Sequence, residues 1–249
     1  MARYVLEVMY DGTRFHGSQI QGDTPTVQLY INRALSTLFR MPVITTGASR
    51  TDEGVHALSN YYHFDMAAEL HPELKYRLNA LLPEGAAIKR IFRATNEFNA
   101  RFDAIRRKYR YRIYKAKDPF LVHKALFYPF PLHEPALHDT AAIIQQHTLF
   151  ESFCKRNAQV HTFACQIFAS YWERHHDELH YVVEANRFLR GMVRGLVATQ
   201  IHIAKGRGTL SDFENIINAQ DCTKAYFSVA GHGLYLESII YPGGLLQEI

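Results

Sequence analysis

The stretch PVITTGASRTDEGVHALSNYYHF, residues 42–64, holds two apolar runs around a polar loop. Residues 42–46 and 58–64 carry the β-branched and aromatic side chains that favour strands. The loop between them, GASRTDEGVHA at 47–57, begins at Gly47 and turns near Gly54, residues that accept backbone angles others avoid. Asp52 lies near its centre, two places after Arg50. Two flanking strands hold a loop side chain in a fixed direction, so the segment predicts both a sheet and a presented carboxylate.

Working outward, residues 3–10 alternate like a strand, and Asp11-Gly12 turns the chain. Thr24-Pro25-Thr26 reads as a helix start with Pro25 in the first turn, followed by Val27, Tyr30, Ile31, Ala34, Leu35 and Leu38 at helical spacing. Residues 71–82 form a second helical candidate, stopped before Pro83, and 86–94 another strand. Strand, helix, strand, strand, helix, strand is the split βαβ order of a ferredoxin-like fold. A second round follows. It has a strand at 109–114, a helix at 132–147, and a hairpin of 162–173 and 178–185 turning near His175-His176-Asp177. A helix at 187–203, a short helix at 211–219 capped by Ser211, and a strand at 233–241 complete it. The expectation is an α+β protein of two ferredoxin-like halves with mixed or antiparallel sheets, 1–104 and 105–249.

With 249 residues, 47% of them hydrophobic, the chain can bury a sizeable core. No apolar run reaches the roughly 18 residues of a membrane helix, and the N-terminus alternates like a strand instead of resembling a signal peptide. Cys154, Cys165 and Cys222 form no close-spaced pair, which suits a reducing, cytoplasmic setting. The net charge of +4 is modest, but its distribution is not. Arg101, Arg106, Arg107, Lys108, Arg110, Arg112, Lys115 and Lys117 crowd residues 101–117 with Asp103 as the only acid. Such a field attracts polyanions, or serves as a solvated strand face.

Asp52, beside the Arg50 cation and the loop amides, is placed to stay ionised, as a nucleophile or base must; closing an Asx-type turn is its structural alternative. Tyr109 and Tyr111 share one face of the basic strand and Arg110 and Arg112 the other. Aromatic faces stack on bases and cations follow phosphates, while a tyrosine face also builds cores. Tyr109 at the strand's end with Tyr111 deeper satisfies both. Arg187, Arg190 and Arg194 follow the three-and-four spacing of one helix face, a phosphate grip plus a cation for Asp52, or a solvent face. His175-His176-Asp177-Glu178 reads as a polar turn, and the cysteines lack zinc spacing, so no metal site is expected. The absence of phosphate-loop, dinucleotide and nucleophile-elbow motifs disfavours ATP, NAD and serine-hydrolase chemistry.

These pieces together resemble the TruA-type tRNA pseudouridine synthases from end to end. The resemblance begins at residues 10–17, YDGTRFHG, and continues through Thr26-Val27-Gln28. Arg50-Thr51-Asp52 with Gly54-Val55-His56-Ala57 matches the family's catalytic loop almost residue for residue. Residues 98–102 and 107–111 resemble its second block, 188–194 its third, and 233–236 its fourth. The family implies two ferredoxin-like halves with a basic cleft between them, a homodimer, and isomerisation of uridine to pseudouridine at positions 38–40 of the tRNA anticodon stem–loop, without metal or cofactor. Carried over, Asp52 is the catalytic aspartate, Tyr109 the tyrosine that stacks on the target base, Arg194 the arginine that pairs with the aspartate, and Arg50 the loop arginine of base flipping. Arg106, Arg107, Lys108, Arg110, Arg112, Arg187 and Arg190 are the expected RNA contacts. The chain departs from the pattern at Ser18, where the family usually has tryptophan, at Ser49, usually glycine, and at 228–232. A catalytically silent RNA-binding protein, a synthase with another RNA target, and a metal-dependent nuclease are the alternative readings. The nuclease would need several converging carboxylates where the loop offers one.

Overall fold

The computed structural model describes residues 1–67, 69–156 and 160–249. Its strands are β1 (Ala2–Tyr10), β2 (Thr46–Gly47), β3 (His56–Met66), β4 (Ala86–Ala94), β5 (Arg106–Tyr114), β6 (Leu126–Phe127), β7 (Ile167–His175), β8 (Glu178–Ala185), β9 (Leu234–Ile240) and β10 (Leu246–Glu248). Its α-helices are α1 (Val27–Phe39), α2 (Leu74–Leu81), α3 (Glu134–Ile144), α4 (Met192–Ala204) and α5 (Leu210–Asn218). The protein is therefore mixed α+β. None of the described helices is long and apolar enough to cross a membrane.

Two compact units arise, one from Met1–Ile105 with Tyr235–Ile249, the other from Arg106–Leu234. The division at 104/105 expected from chain order leaves 235–249 with the second half, whereas the fold returns them to the first unit. The reason is a set of bonds. β9 runs parallel to β3 at His56↔Tyr235, β10 pairs with β4, and Tyr241 Oη donates to the Ala100 carbonyl at 2.6 Å.

In the first unit β1 is central, antiparallel to both β3 and β4. Its residues from Tyr4 to Val8 are all buried, as a strand covered on both faces requires. Helices α1 and α2 bury Val27, Ile31, Leu35, Leu74 and Leu78. The cap of α1 is Thr26, whose hydroxyl accepts from Leu29 N; Pro25 stands outside the helix, not in its first turn. Where the β1–β4 register slips between Glu7 and Val8, Asn79 of α2 exchanges two hydrogen bonds with the Ile88 backbone, at 2.7 and 3.1 Å.

The strand expected at 42–46 shrinks to the two residues of β2. Its amides have other acceptors: Val43 N donates to Ser36 Oγ and Thr45 N to Asn32 Oδ1, both on α1. The segment is thus bound to a helix face and needs no partner strand.

In the second unit β8 lies between β5 and β7, antiparallel to both, and β6 adds in parallel to β5. Almost all of α4 is buried, and its Gln200 accepts from Trp172 Nε1 at 2.8 Å. Three expectations shift here. β7 begins at Ile167; just before it Cys165 N donates to the Thr148 carbonyl and Gln166 N to the Asn186 side-chain oxygen, neither of them a ladder bond. The cap of α5 is Thr209, not Ser211, in a reciprocal box with Asp212. Helix α4 starts at Met192, with Gly191 before it at φ 75°, so Arg187 and Arg190 precede the helix and share no helix face with Arg194.

Candidate active site

The Asp52 loop is built by alternation. Ser49 and Thr51 are buried, Arg50 is exposed and Asp52 is half-buried between β2 and β3. The two inward residues are fixed from both sides. Asn60 of β3, wholly buried, accepts from Ser49 N at 3.2 Å and donates to Ser49 O at 3.0 Å. Tyr10 Oη, at the end of β1, lies 2.9 Å from Thr51 Oγ1 and accepts from Asn60 Nδ2 at 3.1 Å. From the other side Ser18 N donates to Thr51 O at 3.1 Å, Ser18 Oγ accepts from Thr51 N at 2.8 Å, and Ser18 Oγ donates to Ser49 O at 3.3 Å. Val55 N closes the tip on Asp52 O at 3.2 Å. With the backbone on either side of them held, the charged pair 50 and 52 projects from a rigid base.

Segment 11–19 lies so close to this loop that Gly12 and Gly17 have no room for a side chain. A Cβ on Gly12 would stand 2.0 Å from the Val55 carbonyl oxygen, and one on Gly17, already at φ 90°, 2.9 Å from that of Thr51. Gly12 N also donates to His56 Nδ1 at 3.2 Å, and the buried imidazole stacks on Tyr235 of β9 at 4.5 Å. Ser18, Gln19, Gln28, Thr45, Thr46, Gly47, Ser49, Arg50, Tyr62 and Arg101 line a polar recess of about 180 Å³ beside the loop.

In the second unit, Tyr109 and Tyr111 of β5 are both buried. Tyr109 meets Phe188 edge-on at 5.1 Å and lies inside the strand, not at its end, because β5 starts three residues earlier at Arg106. Tyr111 Oη donates to the Ala230 carbonyl at 2.8 Å, and burial raises its pKa well above that of a free phenol. Arg194 donates twice to the Val229 carbonyl, from Nε at 3.1 Å and Nη2 at 2.7 Å. Segment 228–232 thus supplies the acceptor that orients this arginine.

The basic strand is answered by acids from its neighbours. Arg106 pairs with Glu184 at 2.9 Å and covers the Phe168 ring. Arg110 pairs with Glu173, and Arg112 grips Glu178 through two bonds of 2.7 and 2.8 Å. Burial pushes the Glu178 carboxyl up, but the bonds from Arg112 and His180 bring it below the usual range. Arg107 is buried and donates to the Asn186 carbonyl at 2.8 Å; Lys108 is half-buried. Arg187 is half-buried and Arg190 exposed, ahead of α4. The His175–Glu178 segment is the β7–β8 turn, its Glu178 engaged by Arg112 and His180.

On sequence alone Tyr10, Asn60 and Val229 have no assigned role at the site. Asn60 carries the clearest signal: an amide inside an apolar strand needs buried polar partners, and the loop provides them.

A family described as tRNA pseudouridine synthase matches residues 147–242. The chain is 38% identical to the tRNA pseudouridine synthase A of Porphyromonas gingivalis over 98% of its own length and 99% of that protein's. It is 39% identical to the protein of the same name from Parabacteroides distasonis, over 97% of both chains. With that of Staphylococcus aureus it shares 32% identity over 95% of this chain and 91% of the other. Similarity of this extent leaves one conclusion: the chain belongs to the TruA-type tRNA pseudouridine synthase family.

Proposed function

We propose that the protein isomerises uridine to pseudouridine in tRNA, at positions 38–40 of the anticodon stem–loop, with Asp52 as the catalytic carboxylate. The observation that carries this reading is the pinned loop, where Ser49 and Thr51 are bonded inward while Arg50 and Asp52 project. The reaction breaks the bond from C1′ to N1, turns the base, and joins C1′ to C5. The C5 proton leaves and N1 takes one up, so no outside group is added and no co-substrate is needed. The target nucleotide must first leave its stack.

Asp52 acts by attacking as a nucleophile or by removing the C2′ proton. Tyr109 stacks on the extruded base, Arg194 favours the ionised carboxylate, and Arg50 guides the flipped nucleotide. Arg187, Arg190, Arg106, Arg107 and Lys108 contribute to the RNA path. Arg110 and Arg112 do so only in competition with Glu173 and Glu178. The working form is a homodimer acting on cytoplasmic tRNA.

Loss of the C5 hydrogen supplies the assay. A tRNA transcript labelled with tritium at uridine C5 is expected to release tritium with wild-type protein, from positions 38–40 only. Asp52→Asn is expected to bind the transcript within about twofold of wild type and to release none. Release by Asp52→Asn at a substantial rate would overturn the assignment.

A further inference from the structure

Ser18 is built into the loop. It is 2% exposed, and its hydroxyl bridges the two residues flanking Arg50, accepting from Thr51 N at 2.8 Å and donating to Ser49 O at 3.3 Å. Its backbone is anchored independently. Ser18 N donates to Thr51 O, while the carbonyls of Gly17 and Ser18 accept from Val27 N and Gln28 N in the first turn of α1. Those two amides have no intrahelical acceptor, so the segment satisfies the helix start while it holds the loop.

We infer that the Ser18 hydroxyl is a positioning group for the reaction: it transmits the fixed position of α1 to the Arg50–Asp52 segment. Two features separate this role from general stability. First, of the Ser18 groups only the hydroxyl touches both sides of Arg50; within the loop the Ser18 backbone bonds Thr51 alone, and that bond would survive in alanine. Second, Asn60 and Tyr10 hold Ser49 and Thr51 through bonds of their own, so losing the hydroxyl loosens the loop and leaves the fold intact. A displacement near 1 Å at a reacting group costs on the order of a hundredfold in rate without touching distant binding contacts. The inference rests on Asp52 being the catalytic carboxylate.

Ser18→Ala and Ser18→Thr in the full-length protein test it. Threonine keeps the hydroxyl on a residue that lines the recess beside the loop. Three readouts apply: single-turnover tritium release at saturating enzyme, tRNA affinity, and amide hydrogen exchange. Ser18→Ala is expected to slow release by about tenfold or more. Its affinity should stay within about twofold of wild type, and exchange should rise only in peptides covering 49–52, by about tenfold for one lost hydrogen bond. Ser18→Thr is expected to restore both rate and protection. Wild-type rate in Ser18→Ala, failure of Ser18→Thr to rescue, or increased exchange throughout the first unit would each overturn the inference. If the wild-type protein releases no tritium, the proposed reaction fails, and the exchange data still decide whether the hydroxyl holds the loop.

Discussion

Glu7 is the most deeply buried carboxylate of the first unit, 2% exposed in the middle of β1. Burial pushes its pKa up, but bonds from Arg90, Ser59 and Lys89 more than reverse this, leaving it below the usual 4.5. A depressed folded value means the stabilisation is complete above about pH 4.5 and is lost as pH falls through the folded value. Glu7→Gln should therefore flatten the acid limb of the stability curve. It should also cost only about 1–2 kcal/mol at neutral pH, because the half-exposed Arg90 and Lys89 return to water. Arg90→Met leaves the buried carboxylate one partner short and should cost more, about 3 kcal/mol. Urea unfolding of the three proteins between pH 3 and pH 7 measures both effects. An unchanged acid limb in Glu7→Gln would remove Glu7 as the titrating group.

Strand β5 shows how a charge pattern changes meaning once its neighbours are in place. Its cations read along the chain as a polyanion track, yet Arg110 and Arg112 each meet a carboxylate on β7 or β8. Cross-strand pairs of this kind stabilise a sheet, and Glu178, only 13% exposed, depends on its partner. Replacing both arginines with alanine should destabilise the protein by about 2–4 kcal/mol and leave the salt dependence of tRNA binding nearly unchanged. Arg50→Ala, by contrast, should lower the log–log salt slope by about one unit at unchanged stability. A slope change of two units in the double variant would return both arginines to the RNA path. The acids were invisible to a reading of the basic run because they lie more than sixty residues away in sequence. The same limit applies to 42–46, whose strand-like composition was overridden by two side chains of α1. In contrast, β4 could be read to the residue, since its apolar run is bounded by a proline-glycine turn and a polar stretch. In the loop, the charged residues were legible from their pattern. Their supports were not, because Tyr10, Ser18 and Asn60 become neighbours only through folding.

At the level of the molecule, the chain leaves the first unit after Ile105 and returns after Leu234. The returning segment is integral. Ile105 N donates to Ile240 O at 2.9 Å, Tyr241 packs against Tyr61 and Phe98, and β9 extends the sheet beside β3. Ending the chain after Leu234 should cost the first unit more than about 4 kcal/mol, by exposing these rings and orphaning buried backbone groups. Ending it after Pro242 removes residues 243–249, whose only strand is the three-residue edge strand β10, and should cost about 1 kcal/mol. Urea titrations followed by hydrogen exchange in peptides of β1 and β3 distinguish the two; equal stability of both truncations would show that β9 contributes little.

That return has a consequence for synthesis on the ribosome. β3 ends at Met66, but its partner residues Tyr235 and Leu236 are translated about 170 residues later, roughly 10–30 s at ordinary elongation rates. Throughout that interval the nascent protein carries an unpaired edge at His56 and Ala57, immediately beyond the Asp52 loop. Completion of this site thus waits for residues 235–240 to be made, and a chain released before them by a premature stop or a stalled ribosome lacks the strand that finishes it.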